Sequence, residues 1–97
     1  MISVSGQTTF TPNEIFEILK SVANENKAIL ERKESNRFTI SGRGGFIPVT
    51  TWAITVKVEA QSDTSFVTLT VLDVGNRQKG EQLCEYIESK INFDRWG

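Results

Sequence analysis

The sequence contains no histidine and only one cysteine among its 97 residues. A single cysteine excludes an intramolecular disulfide. Without histidine the chain cannot form a Cys/His zinc site, a Ser-His or Cys-His nucleophile pair, or an imidazole base. Catalysis would then depend on carboxylates, lysine, tyrosine or backbone groups, and no two carboxylates have a spacing that assigns an acid and a base. We therefore expect no catalytic residues, no metal site and no cofactor.

The chain has neither a large excess of one charge nor a long run of apolar residues. Eleven basic and twelve acidic residues give a net charge of −1, which argues against nucleic acid as the partner. No apolar run approaches the roughly 18 residues of a membrane span, and the first residues lack the basic start and apolar core of a signal peptide. We expect a cytoplasmic protein without a membrane span. Its length and a hydrophobic fraction of 38% fit one globular domain over residues 1–97.

Hydrophobic periodicity predicts seven elements. The second begins with a clear helix signal, because Thr11 can cap, Pro12 suits the first helical position and Glu14 completes a capping box. The predicted strands cover residues 2–10, 28–34, 36–42, 50–60 and 66–74, and the helices about 12–26 and 77–92. This β-α-β-β-β-β-α order, with short turns between successive strands, predicts an α+β fold in which two helices cover one face of an antiparallel sheet.

The strand over residues 50–60 has the strongest alternation in the chain. It places Trp52 on an apolar face with Ile54 and Val56, which we expect to be the core face. The opposite face of the sheet is rich in threonine and mostly uncharged, and it contains Thr51, Thr55, Thr68 and Thr70. This face is solvated, or it meets a partner or a second copy of the chain.

The segment "SGRGGFIPVTTW", residues 41–52, allows two interpretations. In the first, Arg43, Phe46 and Trp52 offer a cation and two aromatic faces to a ligand, near Leu83 and Ile87 of the last helix. In the second, the glycines only allow the chain to bulge and turn, and the aromatic side chains enter the core. The segment matches neither glycine-rich nucleotide-binding motif.

Three further features near the C-terminus have a structural and a functional interpretation. The segment "DVGNR", residues 73–77, is typical of a strand exit, a positive-φ glycine and an N-cap at Asn76, although its aspartate could also serve as a ligand or acid. Cys84 has no histidine partner and is expected to be a small packed hydrophobe. Trp96 packs on the core, mediates self-association or is disordered.

Several segments carry a family resemblance: residues 11–19, "RFTISGRGG", "TTWAITVKVEA", "TLTVLDVGN" and the last helix. With them the chain resembles a family of small, functionally uncharacterised bacterial α+β domains. Its element order is similar to that of the TATA-box-binding-protein-like class, which includes helix-grip ligand-binding domains. The resemblance covers nearly the whole chain and implies neither catalytic residues nor a settled activity, and a shared fold does not transmit function.

Two functions follow from these observations. The first is a non-catalytic binding module that holds a small apolar ligand between the sheet and the C-terminal helix. The alternative is a protein-interaction or homodimerisation domain that uses the open threonine-rich face.

Overall fold

A computed structural model describes residues 2–44, 50–73 and 75–96 of the chain. The elements follow the order β-α-β-β-β-β-α, with one short strand added at the end. They are β1 (Ile2–Thr8), α1 (Pro12–Glu25), β2 (Ile29–Glu34), β3 (Arg37–Gly44), β4 (Thr50–Ala60), β5 (Ser65–Val71), α2 (Arg77–Lys90) and β6 (Asp94–Arg95).

All six strands form one antiparallel sheet in the order β2-β3-β4-β5-β1-β6. The chain first makes a meander from β2 to β5, in which each strand pairs with the next. β1 then pairs with β5 at the far side of that meander, and β6 covers part of the outer edge of β1. The first and last strands are therefore neighbours, although nearly the whole chain separates them in sequence.

Both helices pack on the same face of the sheet, and the core lies between them and the strands. α1 contacts β2, β3 and β4, while α2 contacts β4 and β5. The alternation of β4 determines which side chains enter the core, since its buried residues are Trp52, Ile54, Val56 and Val58. The helices contribute Ile15, Leu19, Val22, Leu83, Cys84 and Ile87 to the same cluster.

Local sequence signals set the ends of both helices. At the start of α1, the Glu14 amide donates to the Thr11 hydroxyl and the Thr11 amide donates to the Glu14 carboxylate, which completes the predicted capping box. At the start of α2 the Asn76 side chain accepts from the amide of Lys79, and Gly75 has the predicted positive φ, +47°. A residue with a left-handed backbone follows the C-cap of each helix: Lys27 after α1 and Asn92 after α2.

Gly80 brings α2 close to the sheet. A Cβ atom at this position would lie 2.8 Å from Cγ1 of Val71 in β5, closer than two carbon atoms can pack. The glycine weakens the helix by about 1 kcal/mol relative to alanine, and close contact between α2 and β5 compensates for this cost. This close approach of α2 to the sheet is the physical reason for a glycine inside the helix.

The structure confirms the predicted α+β fold, with an antiparallel sheet and two helices on one face. It adds β6, which sequence reasoning missed because two residues are too few to show an alternation. The strand predicted over residues 66–74 ends at Val71 in the structure, so Asp73 lies beyond it.

Candidate ligand groove

An open groove of about 230 Å³ lies between α2 and the β1–β5 side of the sheet. Its position follows from the sheet order, because α2 packs over β4 and β5 whereas β1 lies one strand further out. The start of β1 and the flank of α2 therefore form two walls with space between them. The lining residues are Ile2, Val4, Val71, Glu81, Cys84, Glu85, Glu88 and Arg95.

The floor of the groove is apolar. Val71 and Cys84 belong to the buried core, and Val4 is half-buried against that core. Ile2 is 39% exposed, which leaves a large apolar side chain accessible at the mouth. An apolar group that entered the groove would release water chiefly from Ile2 and Val4, which are the more exposed of these four side chains.

Cys84 does not supply a reactive thiolate to this floor. The pKa of its thiol is raised to about 11, first by burial and then by the nearby carboxylate of Glu88, because a second negative charge is disfavoured there. The thiol is therefore protonated at neutral pH. The prediction that Cys84 is a small packed hydrophobe is confirmed by its burial.

Carboxylates dominate the rim, and two of them already form ion pairs. Arg95 binds Glu88 through two nitrogen atoms, with Nε–Oε1 at 2.5 Å and Nη2–Oε2 at 2.8 Å. Glu81 pairs with Arg77 at 3.3 Å. Glu85 is exposed and forms no ion pair with any residue that the structure describes.

Three of the five predicted ligand residues lie outside this groove. Trp52, Leu83 and Ile87 come together in the core, where each side chain is at most 4% exposed, and none of the three lines the groove. Phe46 and the side chain of Arg43 fall outside the described residues. A Cβ atom at Gly42 would lie 2.7 Å from the Trp52 ring, so this glycine lets the backbone lie against a core tryptophan.

Sequence reasoning did not select the groove residues, although a signal for them exists. Glu81, Glu85 and Glu88 are spaced i, i+4, i+7, which places them along one side of a helix, beside the small residue Cys84. Such a stripe is typical of a solvated surface. It becomes a groove wall only because Ile2 and Val4 of the first strand lie opposite it.

The open sheet face contains Thr51, Thr55, Thr68 and Thr70, as predicted. Strand pairing adds β1 and β3 to this surface and produces a row of hydroxyls across four strands: Thr39, Thr55, Thr70 and Ser3. The hydroxyls of Ser3 and Thr70 are 2.9 Å apart, so part of their hydrogen-bonding capacity is satisfied within the sheet.

Trp96 lies at one end of this face. It is 52% exposed and contacts Phe66 edge-on, with ring centroids 5.0 Å apart. Of the three alternatives for this tryptophan, packing on the helix-covered core is excluded by its position. Its backbone amide donates to the carbonyl of Ser5, which holds the tail against β1.

Within the described ranges, no group of three or more cysteine, aspartate or glutamate side chains is arranged to hold a metal ion. The helices in those ranges are too short and too polar to cross a membrane.

Comparison with known proteins supports the fold but does not define a family. No family model and no curated protein matches the chain. Among solved structures, the vertebrate conserved region of human METTL16 is similar, with a TM-score of 0.58 and 14% sequence identity over 84% of this chain and 71% of that one. At this identity the similarity concerns the fold alone. The resemblance to the bacterial family and the TATA-box-binding-protein-like topology stay predictions.

Proposed function

We propose that this chain is a non-catalytic binding domain that holds a small apolar ligand in the groove between α2 and β1. The observation that supports it most directly is the apolar floor, where Ile2 stays accessible beside Val4, Val71 and Cys84. A volume of about 230 Å³ lies below the roughly 300–1,000 Å³ of most ligand pockets, which favours a ligand smaller than a typical drug molecule.

The chemistry of the lining favours binding over catalysis. The titratable groups that face the groove are carboxylates, one arginine and a protonated thiol. Two of the carboxylates are engaged in ion pairs and the thiol is protonated, so the lining supplies no activated nucleophile. The sequence also predicts a ligand between the sheet and the C-terminal helix, but with different lining residues.

A titration with 1-hexanol, followed by the amide shifts of the labelled protein, tests this function. We expect saturable shifts confined to the start of β1, the end of β5 and residues 81–88 of α2. A Val4→Phe variant fills the groove and should abolish these shifts. Thr68→Phe is the matched control, because it adds the same side chain to the opposite face and should leave them unchanged. Scattered or linear shifts in the unmodified protein would overturn the proposal.

Self-association through the open sheet face is a second candidate. The observation that favours it is the exposed Trp96 beside Phe66, at the end of a face that neither helix covers. Native mass spectrometry at two concentrations tests it. A dimer mass that grows with concentration and disappears in Trp96→Ala supports this candidate, and a monomer at both concentrations rejects it.

A further inference from the structure

The charged side chains around the groove indicate which charge a bound ligand would carry. Three carboxylates and one guanidinium line the groove, so the lining is net negative. The charge of the guanidinium is already paired, because its Nε and Nη2 atoms bind the Glu88 carboxylate at 2.5 and 2.8 Å. An anionic ligand would find only the remaining N–H groups of this paired guanidinium and would face the three carboxylates of the lining.

Glu85 is the carboxylate at the rim that forms no ion pair with a described cation, although the charge of Arg95 acts on it from a greater distance. Its neighbours along the same side of α2 are occupied, Glu81 by Arg77 and Glu88 by Arg95. A positive charge placed at the mouth of the groove would interact with Glu85 without displacing an existing ion pair. Its apolar portion would contact Val4 and Ile2 at the same time.

We infer that the ligand is a small amphipathic cation, an alkyl chain that ends in a protonated amine. This inference rests on the proposed function of the groove. The alkyl chain occupies the floor formed by Val4, Val71 and Cys84, and the ammonium group lies at the rim beside Glu85. We assign a free small molecule rather than a lysine of a protein partner, because the groove has a small volume.

Three probes with the same six-carbon chain separate charge from apolar contact: hexylammonium, 1-hexanol and hexanoate at neutral pH. We expect hexylammonium to bind about two to five times more tightly than 1-hexanol, the range expected for one solvent-exposed charge pair. Hexanoate should bind more weakly than 1-hexanol. Amide shifts of β1 and α2 report the site and the dissociation constants.

Two variants and one control test whether the carboxylates at the rim cause the preference for a cationic ligand. Glu85→Gln removes the charge from an exposed position, so folding is preserved, and it should reduce hexylammonium binding about two- to fivefold without changing 1-hexanol binding. Glu17→Gln is the matched control on the exposed surface of α1 and should change neither. Glu88→Gln frees Arg95 and should shift the preference toward hexanoate.

The outcomes distinguish the inference from the function on which it rests. Equal affinity for all three probes, or a preference for hexanoate in the unmodified protein, would overturn the cationic ligand and leave the apolar groove in place. The absence of groove shifts with every probe would overturn both. Tighter binding of Nα-acetyl-lysine methylamide than of hexylammonium would overturn the free small molecule and identify a protein side chain as the occupant.

Discussion

The two tryptophans illustrate how strongly the environment of a residue determines its role. Trp52 is 1% exposed on the core face of β4, whereas Trp96 is 52% exposed on the opposite face. We expect Trp52→Ala to lower the free energy of unfolding by about 3–5 kcal/mol, because it leaves a large cavity in a packed core. Trp96→Ala removes a single exposed aromatic contact and should cost about 1 kcal/mol or less.

Urea unfolding followed by circular dichroism measures both variants without depending on tryptophan fluorescence. A loss below about 1 kcal/mol for Trp52→Ala would contradict its assignment to the core. A protein that stays folded but no longer binds a ligand would instead support the first interpretation of residues 41–52.

Cys84 provides a pH-dependent prediction. Burial raises the pKa of the thiol from an ordinary 9.0 to about 11. Alkylation by iodoacetamide, which needs the thiolate, should therefore be slow in the folded protein at pH 8 and should still be rising near pH 11. In urea the rate for the same cysteine should reach half of its maximum near pH 9.

The raised pKa also determines the sign of a stability effect. Because the folded pKa lies above the unfolded one, the contribution of the protonated thiol is complete below pH 9 and is lost as the pH rises toward 11. Cys84→Ala should remove this part of the alkaline destabilisation. Equal alkylation rates for the folded and the urea-unfolded protein at pH 8 would contradict the burial of the thiol.

At the scale of elements, the two helices end alike but with different residues. After α1 the amide of Ala28 donates to the carbonyl of Ala23, and after α2 the amide of Phe93 donates to the carbonyl of Glu88. Both turns require a left-handed residue, which is Lys27 at φ 53° in the first and Asn92 at φ 50° in the second. Asparagine tolerates this conformation better than lysine does.

Lys27→Gly should therefore raise the free energy of unfolding by about 0.5–1 kcal/mol, because glycine adopts the left-handed backbone without the Cβ clash. The matched control is Asn92→Gly, whose gain should be smaller. Urea titration compares the two midpoints. A destabilised Lys27→Gly variant would show that the flexibility of glycine in the unfolded chain outweighs the strain that it relieves.

At the scale of the whole molecule, the sheet order connects the two ends of the chain. β1 lies between β5 and β6, and the buried Thr8 hydroxyl donates to the carbonyl of Ile91 at the end of α2. The groove depends on the same strand pairing, since Ile2 and Val4 come from the first strand and Arg95 from the last. The candidate site therefore requires the complete fold.

Hydrogen exchange tests this arrangement. We expect the slowest amide exchange in β4 and β5, which have a strand on each side and the core helices above them. β2 is an edge strand with a run of exposed charged residues, so the amides on its outer side should exchange fastest among the long strands. Protection of β2 equal to that of β4 would indicate that another element or a second copy covers this edge.

The sequence by itself determined the two helices, the five long strands and their buried faces. A capping box, an N-cap asparagine and alternation along β4 are signals between near neighbours, so their physical effect is local. The connection over residues 41–52 was only partly predictable. The structure confirms that Trp52 belongs to the core, whereas Phe46 and the side chain of Arg43 lie outside the described residues.

Only the tertiary structure decided where the candidate site lies. Glu85 and Val4 are far apart in the sequence, and no local pattern in either segment points to the other. Strand pairing brings them together by inserting β1 beside β5 under the flank of α2. The same pairing leaves the carboxylate stripe of a solvated helix facing an apolar strand, and this combination of charge and apolar surface gives the groove its proposed preference for an amphipathic cation.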